Sequence, residues 1–189
     1  MRDGVRAVRH RAVAAEAGVP LSATTYYFKD INDLISDSFA LFVERSAEAM
    51  SAFWAGADEQ LQQLSAGLQQ GVETRLQVLE QVVELAIVYV QAQLTENRER
   101  LLAEQAFRLE ALLNPGLLAL AAAHRKILLR GVDKFFRVLG SPQPEADAKV
   151  LTGMILQMEY QGLLDGVDNL NLDDMRALLR RYLRLVMGL

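Results

Sequence analysis

The densest run of hydroxyl side chains in this 189-residue chain is Ser22, Thr24, Thr25, Tyr26 and Tyr27, set just after Gly18-Val19-Pro20 and just before Lys29. Hydroxyls crowded on one short helix, with cations beside them, are the groups that bind phosphate oxygens and base edges in a major groove. His10 and Arg11, in the preceding segment, extend the same chemistry. The candidate DNA contacts are therefore His10, Arg11, Ser22, Thr25, Tyr26, Tyr27 and Lys29. Arg11 and the start of the second helix are expected nearest the bases, with the rest on phosphates.

Such groups need a frame, and the stretch RHRAVAAEAGVPLSATTYYF supplies one. It reads as a helix from His10 to Ala17, a corner at Gly18-Val19-Pro20, and a second short helix ending in Tyr26, Tyr27 and Phe28. The 3.6-residue period puts Val13, Ala14 and Ala17 on one inward face. Ala14 allows two helices to touch, and Gly18 tolerates the positive φ at which the first one stops. Pro20 suits an early position in the second helix, where its missing N–H costs nothing. Arg9 stands where a capping side chain is usual and cannot accept an amide hydrogen bond. Together these features predict a helix-turn-helix that presents its second helix to DNA.

The run AAEAGVPLSATTYYFKDINDLI resembles the DNA-binding signature of TetR-family transcriptional regulators, matching it at Val13-Ala14, Ala17-Gly18-Val19, Tyr27-Phe28 and Leu34. Thr24 and Thr25 stand where the family has an aliphatic and an aromatic residue, and Ile31 stands where it often has lysine, with Lys29 two positions earlier. The resemblance covers about the first fifty residues. For the remainder it implies an all-α domain that binds a ligand and dimerises. It also implies a helix ahead of Asp3-Gly4-Val5, which would cover Val5, Val8, Val13 and Phe28. Residues 1–47 are thus expected to form a DNA-binding head shortened at its start, and residues 48–189 a helical ligand-binding and dimerisation body. Either the start is assigned too late, or the chain is shortened, or the protein is expected to bind DNA poorly.

Composition agrees with an all-α chain: Ala, Leu, Glu, Gln and Arg dominate, and Gly and Pro are scarce. The absence of cysteine excludes a disulfide framework, a thiolate zinc site and a cysteine nucleophile. No apolar run reaches bilayer length and no signal-peptide pattern opens the chain, so the cytoplasm is expected and a membrane partner is not. The net charge of −4 is unevenly placed. Through Lys29, five cations (Arg2, Arg6, Arg9, Arg11, Lys29) face two anions (Asp3, Glu16), a net of +3 that leaves −7 for the rest. A basic start on an acidic body suits a protein whose one end meets phosphates.

Further along, Asp30 is placed to cap a helix carrying Ile31, Leu34, Ile35, Phe39, Phe42 and Val43 to about Trp54, a connector between head and body. Gly56 is expected to break it, with a second segment from about Asp58 to Gln70. The stretch RLQVLEQVVELAIVYVQAQL is apolar on most sides and marks a central helix. Thr95 or Asn97 opens the next, Asn114-Pro115 stops it and starts another through Val138, and Gly140 to Pro144 forms a loop. Two last helices, about Glu145 to Leu164 and Leu172 to Met187, are apolar on more than one face. Such helices pack beyond their own chain. Leu151, Met154, Ile155, Met175, Leu178 and Tyr182 are the candidate dimer interface, and the resemblance implies that this pair forms a four-helix bundle with its twin.

His10 and His124 are the only histidines, and neither has a carboxylate at ligand spacing, so no metal and no cofactor is expected. No nucleophile elbow, Walker loop or dinucleotide fingerprint occurs, which argues against an enzyme. Tyr89, Gln93, Phe107, Arg108 and Met158 combine the aromatic, amide, cationic and thioether groups of an effector pocket. The expected function is a ligand-responsive transcriptional repressor: a homodimer on double-stranded operator DNA, released by a small, mainly apolar effector. The alternative is a helical dimer that binds a small molecule or protein and has lost DNA binding.

Overall fold

A computed structural model describes residue 5 and residues 8–68 and 71–189; the side chains of 57–61 and 63–68, and the residues Arg2, Asp3, Gly4 and Arg6 weighed above, lie outside that description. The described residues form eight α-helices and no strand. They fall into two compact units, one of residues 1–49 and 102–125, the other of 50–101 and 126–189.

In the first unit, α1 (His10–Glu16) and α2 (Leu21–Tyr27) are joined by a tight corner. Gly18 takes φ 66°, where a side chain would be strained, and the Val19 N–H returns to the Ala14 carbonyl at 2.9 Å. Ala14 is buried as its spacing predicts, but Ala17 is exposed because the helix has already ended. Pro20 is the N-cap of α2 rather than its first residue. Helix α3 (Ile31–Leu68) opens on the expected cap, the Asp30 carboxylate accepting from the N–H groups of Asn32 and Asp33 at 2.7 and 3.1 Å.

The expected break at Gly56 does not occur, and α3 passes straight through it. One helical glycine costs about 1 kcal/mol against alanine, too little to stop a helix with strong formers on either side. The first unit is packed around Phe39, whose ring stacks on that of Phe107 at 4.6 Å and nearly parallel. Phe107 lies in α5 (Arg98–Leu113), and Phe42 closes the cluster against Phe107 and against His124 at 5.3 Å. His124 belongs to α6 (Leu118–Val138) and is buried. A 3-10 turn over Pro115–Leu117 precedes α6, capped by the Asn114 side chain.

The second unit is built on α4 (Val72–Thr95), the expected central helix, with Leu79, Val83, Ile87, Val90 and Leu94 at three- and four-residue steps all in its core. Around it pack α7 (Pro144–Asp165), through Ala148, Leu151 and Met158, and α8 (Leu172–Met187), through Met175, Leu179, Leu183 and Met187. Helices α4 and α7 approach closely where Gly162 meets Leu94; a methyl on Gly162 would lie 2.3 Å from a Leu94 methyl. Two Arg–Glu pairs clip α8 to α4. Arg180 donates twice to Glu80, both at 2.7 Å, and Arg176 donates twice to Glu84, at 2.7 and 3.2 Å. These guanidinium bonds hold both carboxyls below the usual glutamate range.

Candidate functional site

The corner between α1 and α2 places a polar, hydroxyl-rich surface on the first unit. Arg11, Ser22, Thr25, Tyr26, Tyr27 and Lys29 are all exposed there. Tyr26 and Tyr27 are 82% and 77% exposed, and their rings meet edge to face with centroids 5.1 Å apart. Large aromatics left this bare have phenol groups free to meet a partner. The neighbouring threonines divide the work. Thr24 turns inward and donates to the Leu21 carbonyl at 2.9 Å, so a position where an aliphatic would pack is filled by a self-satisfied hydroxyl. Thr25 stays outside, its hydroxyl near the Leu21 and Ser22 carbonyls at 3.3 Å, with lone pairs left to accept. Lys29 keeps its side chain exposed while its backbone N–H donates to Asp33 at 3.2 Å. His10 differs from the rest: it is half-buried, and its Nδ1 is enclosed without a hydrogen-bond partner among the described residues.

On the second unit, α7 and α8 carry apolar residues on two faces. Leu151 and Met175 belong to the unit's own core, Met154, Ile155 and Tyr182 are half-buried, and Leu178 is exposed. Also exposed are Val150, Tyr160 and Leu164 on α7 and Leu185, 72% exposed, on α8; the apolar period takes in Val150 and Leu185, and exposure adds Tyr160 and Leu164. Leu178 and Leu185 are seven residues apart and share one face. Tyr182 is anchored at the edge of this face, its hydroxyl donating to the Asp147 carbonyl and carboxylate, each at 3.0 Å. Burial and the bond to Asp147 push its phenol above the ordinary tyrosine value. Ser141 donates to the same carboxylate and so ties the loop before α7 into the network.

The residues expected around an effector are distributed between the units. Phe107 and the exposed Arg108 belong to the first, Phe107 being stacked on Phe39. Tyr89, Gln93 and Met158 belong to the second. Met158 is a core residue. Tyr89 packs on Phe53 at 5.4 Å, and Phe53 meets Trp54 edge to face at 5.2 Å. Gln93 is 7% exposed and accepts a 2.7 Å hydrogen bond from Arg100, a cation that sequence spacing did not point to.

Among the described residues, no helix is long and apolar enough to cross a membrane. No curated protein matches the chain. A family model described as tetracyclin repressor-like, C-terminal domain, matches residues 77–188, which takes in the whole of α7 and α8 and all but the first residues of α4. That match spans more than half of the chain, and with the all-helical fold it places this protein in the TetR family of regulators.

Proposed function

We propose that the chain is a homodimeric transcriptional repressor that binds double-stranded operator DNA through α1, α2 and Lys29, and leaves it when a small, mainly apolar effector binds the helical body. The observation that carries this reading is the exposed set Arg11, Ser22, Thr25, Tyr26, Tyr27 and Lys29, which leaves cations, hydroxyls and two bare phenols on one short corner. Cations and hydroxyls of this kind bind phosphate, and the groups nearest the groove read base edges. The outward apolar face of Val150, Leu164, Leu178 and Leu185 supports self-association through α7 and α8. Pairing two heads about one DNA turn apart favours a palindromic site over a single half-site.

Release needs a ligand that prefers one conformation of the body over another. Helix α3 contributes residues to both units, and a change in its tilt would alter the spacing of two heads in a dimer. The effector then acts only by its differential affinity for the two states. Gel retardation of the full chain on DNA from its own promoter region tests the reading. A discrete complex that survives non-specific competitor supports it, and no complex at micromolar protein overturns it.

A further inference from the structure

Within the second unit, α4 carries Tyr89 and Gln93 four residues apart, hence on one face, and this face ends at a cation. Gln93 sits between Val90 and Leu94, both essentially fully buried. A primary amide in such surroundings is costly unless its atoms are bonded. Its oxygen is bonded, by the Arg100 Nη2 donor at 2.7 Å across the corner between α4 and α5. That bond fixes the orientation of the amide, because only the oxygen accepts from a guanidinium. The Gln93 Nε2 donors make no hydrogen bond among the described residues, and Arg100 has no acidic partner among them. The half-buried Arg100 guanidinium is thus held by a neutral amide rather than by a carboxylate. From there the face runs into aromatics: Tyr89 against Phe53, Phe53 against Trp54, and the Trp54 indole seated on Gly131.

We propose that this face binds a monocarboxylic acid with an apolar or aromatic body, its carboxylate taken by Arg100 and the Gln93 amide and its body laid along Tyr89 and Phe53. This rests on the effector response proposed above and names the effector's class. The planar fork of arginine matches a carboxylate, and an added amide donor completes a site for one negative charge. A doubly charged phosphoryl group would meet one cation in otherwise aromatic and aliphatic surroundings, so the chemistry favours the singly charged acid.

Trp54 is the sole tryptophan and reports on the same face, so binding is read from its fluorescence in the full chain. The probes are phenylbutyrate and decanoate, each against its own alcohol, phenylbutanol and decanol, at neutral pH. The parent is expected to bind at least one acid about tenfold tighter than the matching alcohol, the worth of one charge-assisted hydrogen bond. Arg100→Gln should erase that preference with its circular dichroism unchanged, and Arg100→Lys should keep part of it. If Arg100→Gln does not fold, the parent's acid-to-alcohol ratio and Arg100→Lys decide. Equal binding of acid and alcohol, binding of neither, or a preference that survives Arg100→Gln overturns the proposal. The same titrations with promoter DNA present separate the two readings. Acids that bind a chain indifferent to DNA leave this site standing and sink the operator reading. A chain that holds DNA but ignores every acid does the reverse.

Discussion

The Trp54 indole lies so close to Gly131 that a methyl built on that glycine would stand 1.8 Å from the indole nitrogen. A methyl there requires the ring or α6 to shift, and the indole N–H is enclosed without an acceptor among the described residues. Gly131→Ala forces the ring or the helix to move. It should destabilise the chain by about 1–3 kcal/mol, the usual cost of overpacking, although alanine is the better helix former. Urea unfolding followed by tryptophan fluorescence measures this, and a variant as stable as the parent would show that the contact is loose.

The two pairs between α8 and α4 carry a pH signature. Glu80 and Glu84 have folded-state values below the ordinary glutamate value of 4.5, so the folded state binds fewer protons than the unfolded state in that range. Their contribution is complete above the ordinary value and is lost as pH falls through the folded values beneath it. Both pairs are partly solvent-exposed, so the effect is small. Glu80→Gln with Glu84→Gln should melt below the parent at pH 7, and the gap should close at about pH 3. A gap of the same size at both pH values contradicts the assignment.

Tyr182 behaves in the opposite sense. Its raised value means that the neutral phenol is the form the fold favours, so its contribution is complete below the ordinary tyrosine value and is lost only as pH climbs through the folded one. Tyr182→Phe should cost about 1 kcal/mol at neutral pH, since Asp147 keeps its bond from Ser141 while losing one donor. Thermal unfolding of the two proteins checks it.

If α7 and α8 form the dimer, a charge on their outward face should split it. Leu178→Arg with Leu185→Arg places two cations where two exposed leucines now share a face, and leaves the core residues Leu179 and Leu183 untouched. Sedimentation velocity is expected to show the parent as a dimer and the variant as a folded monomer. A variant that sediments as the parent does places the interface elsewhere.

On the proposed DNA-binding corner, Arg11→Ala should weaken operator binding by about 1–3 kcal/mol with some loss of discrimination between sites. If Lys29 meets a phosphate as proposed, Lys29→Ala should weaken all sites alike and lower the salt slope by about one. Anisotropy titrations on a cognate and a scrambled duplex separate the two patterns.

Much of this arrangement was legible because it is local. The Asp30 cap, the Asn114-Pro115 restart, the Gly18 corner and the span of α8 all follow from residues within one or two turns of each other. Contacts between residues distant in sequence were not legible. Nothing near Trp54 announces Gly131, and nothing near Gln93 shows that Arg100 turns back across a helical corner to meet it. The breadth of the apolar stripe of α8 pointed to packing on more than one side but not to which residue takes which side. Its breadth covers both Leu179, which faces α4, and Leu185, which faces away, and only the packing of the unit tells them apart. Gly56 misled for a related reason, since a local penalty was outweighed by the helix on either side.

The most direct test of the central claim is the salt dependence of binding between the full chain and duplex DNA from its own promoter, with protein stoichiometry measured in the same titration. A regulator that uses Arg11, Lys29 and their twins in a dimer should bind as two protomers per site, with log affinity falling steeply and linearly against log salt. Binding that is absent at low salt, or flat across the salt range, would contradict the account.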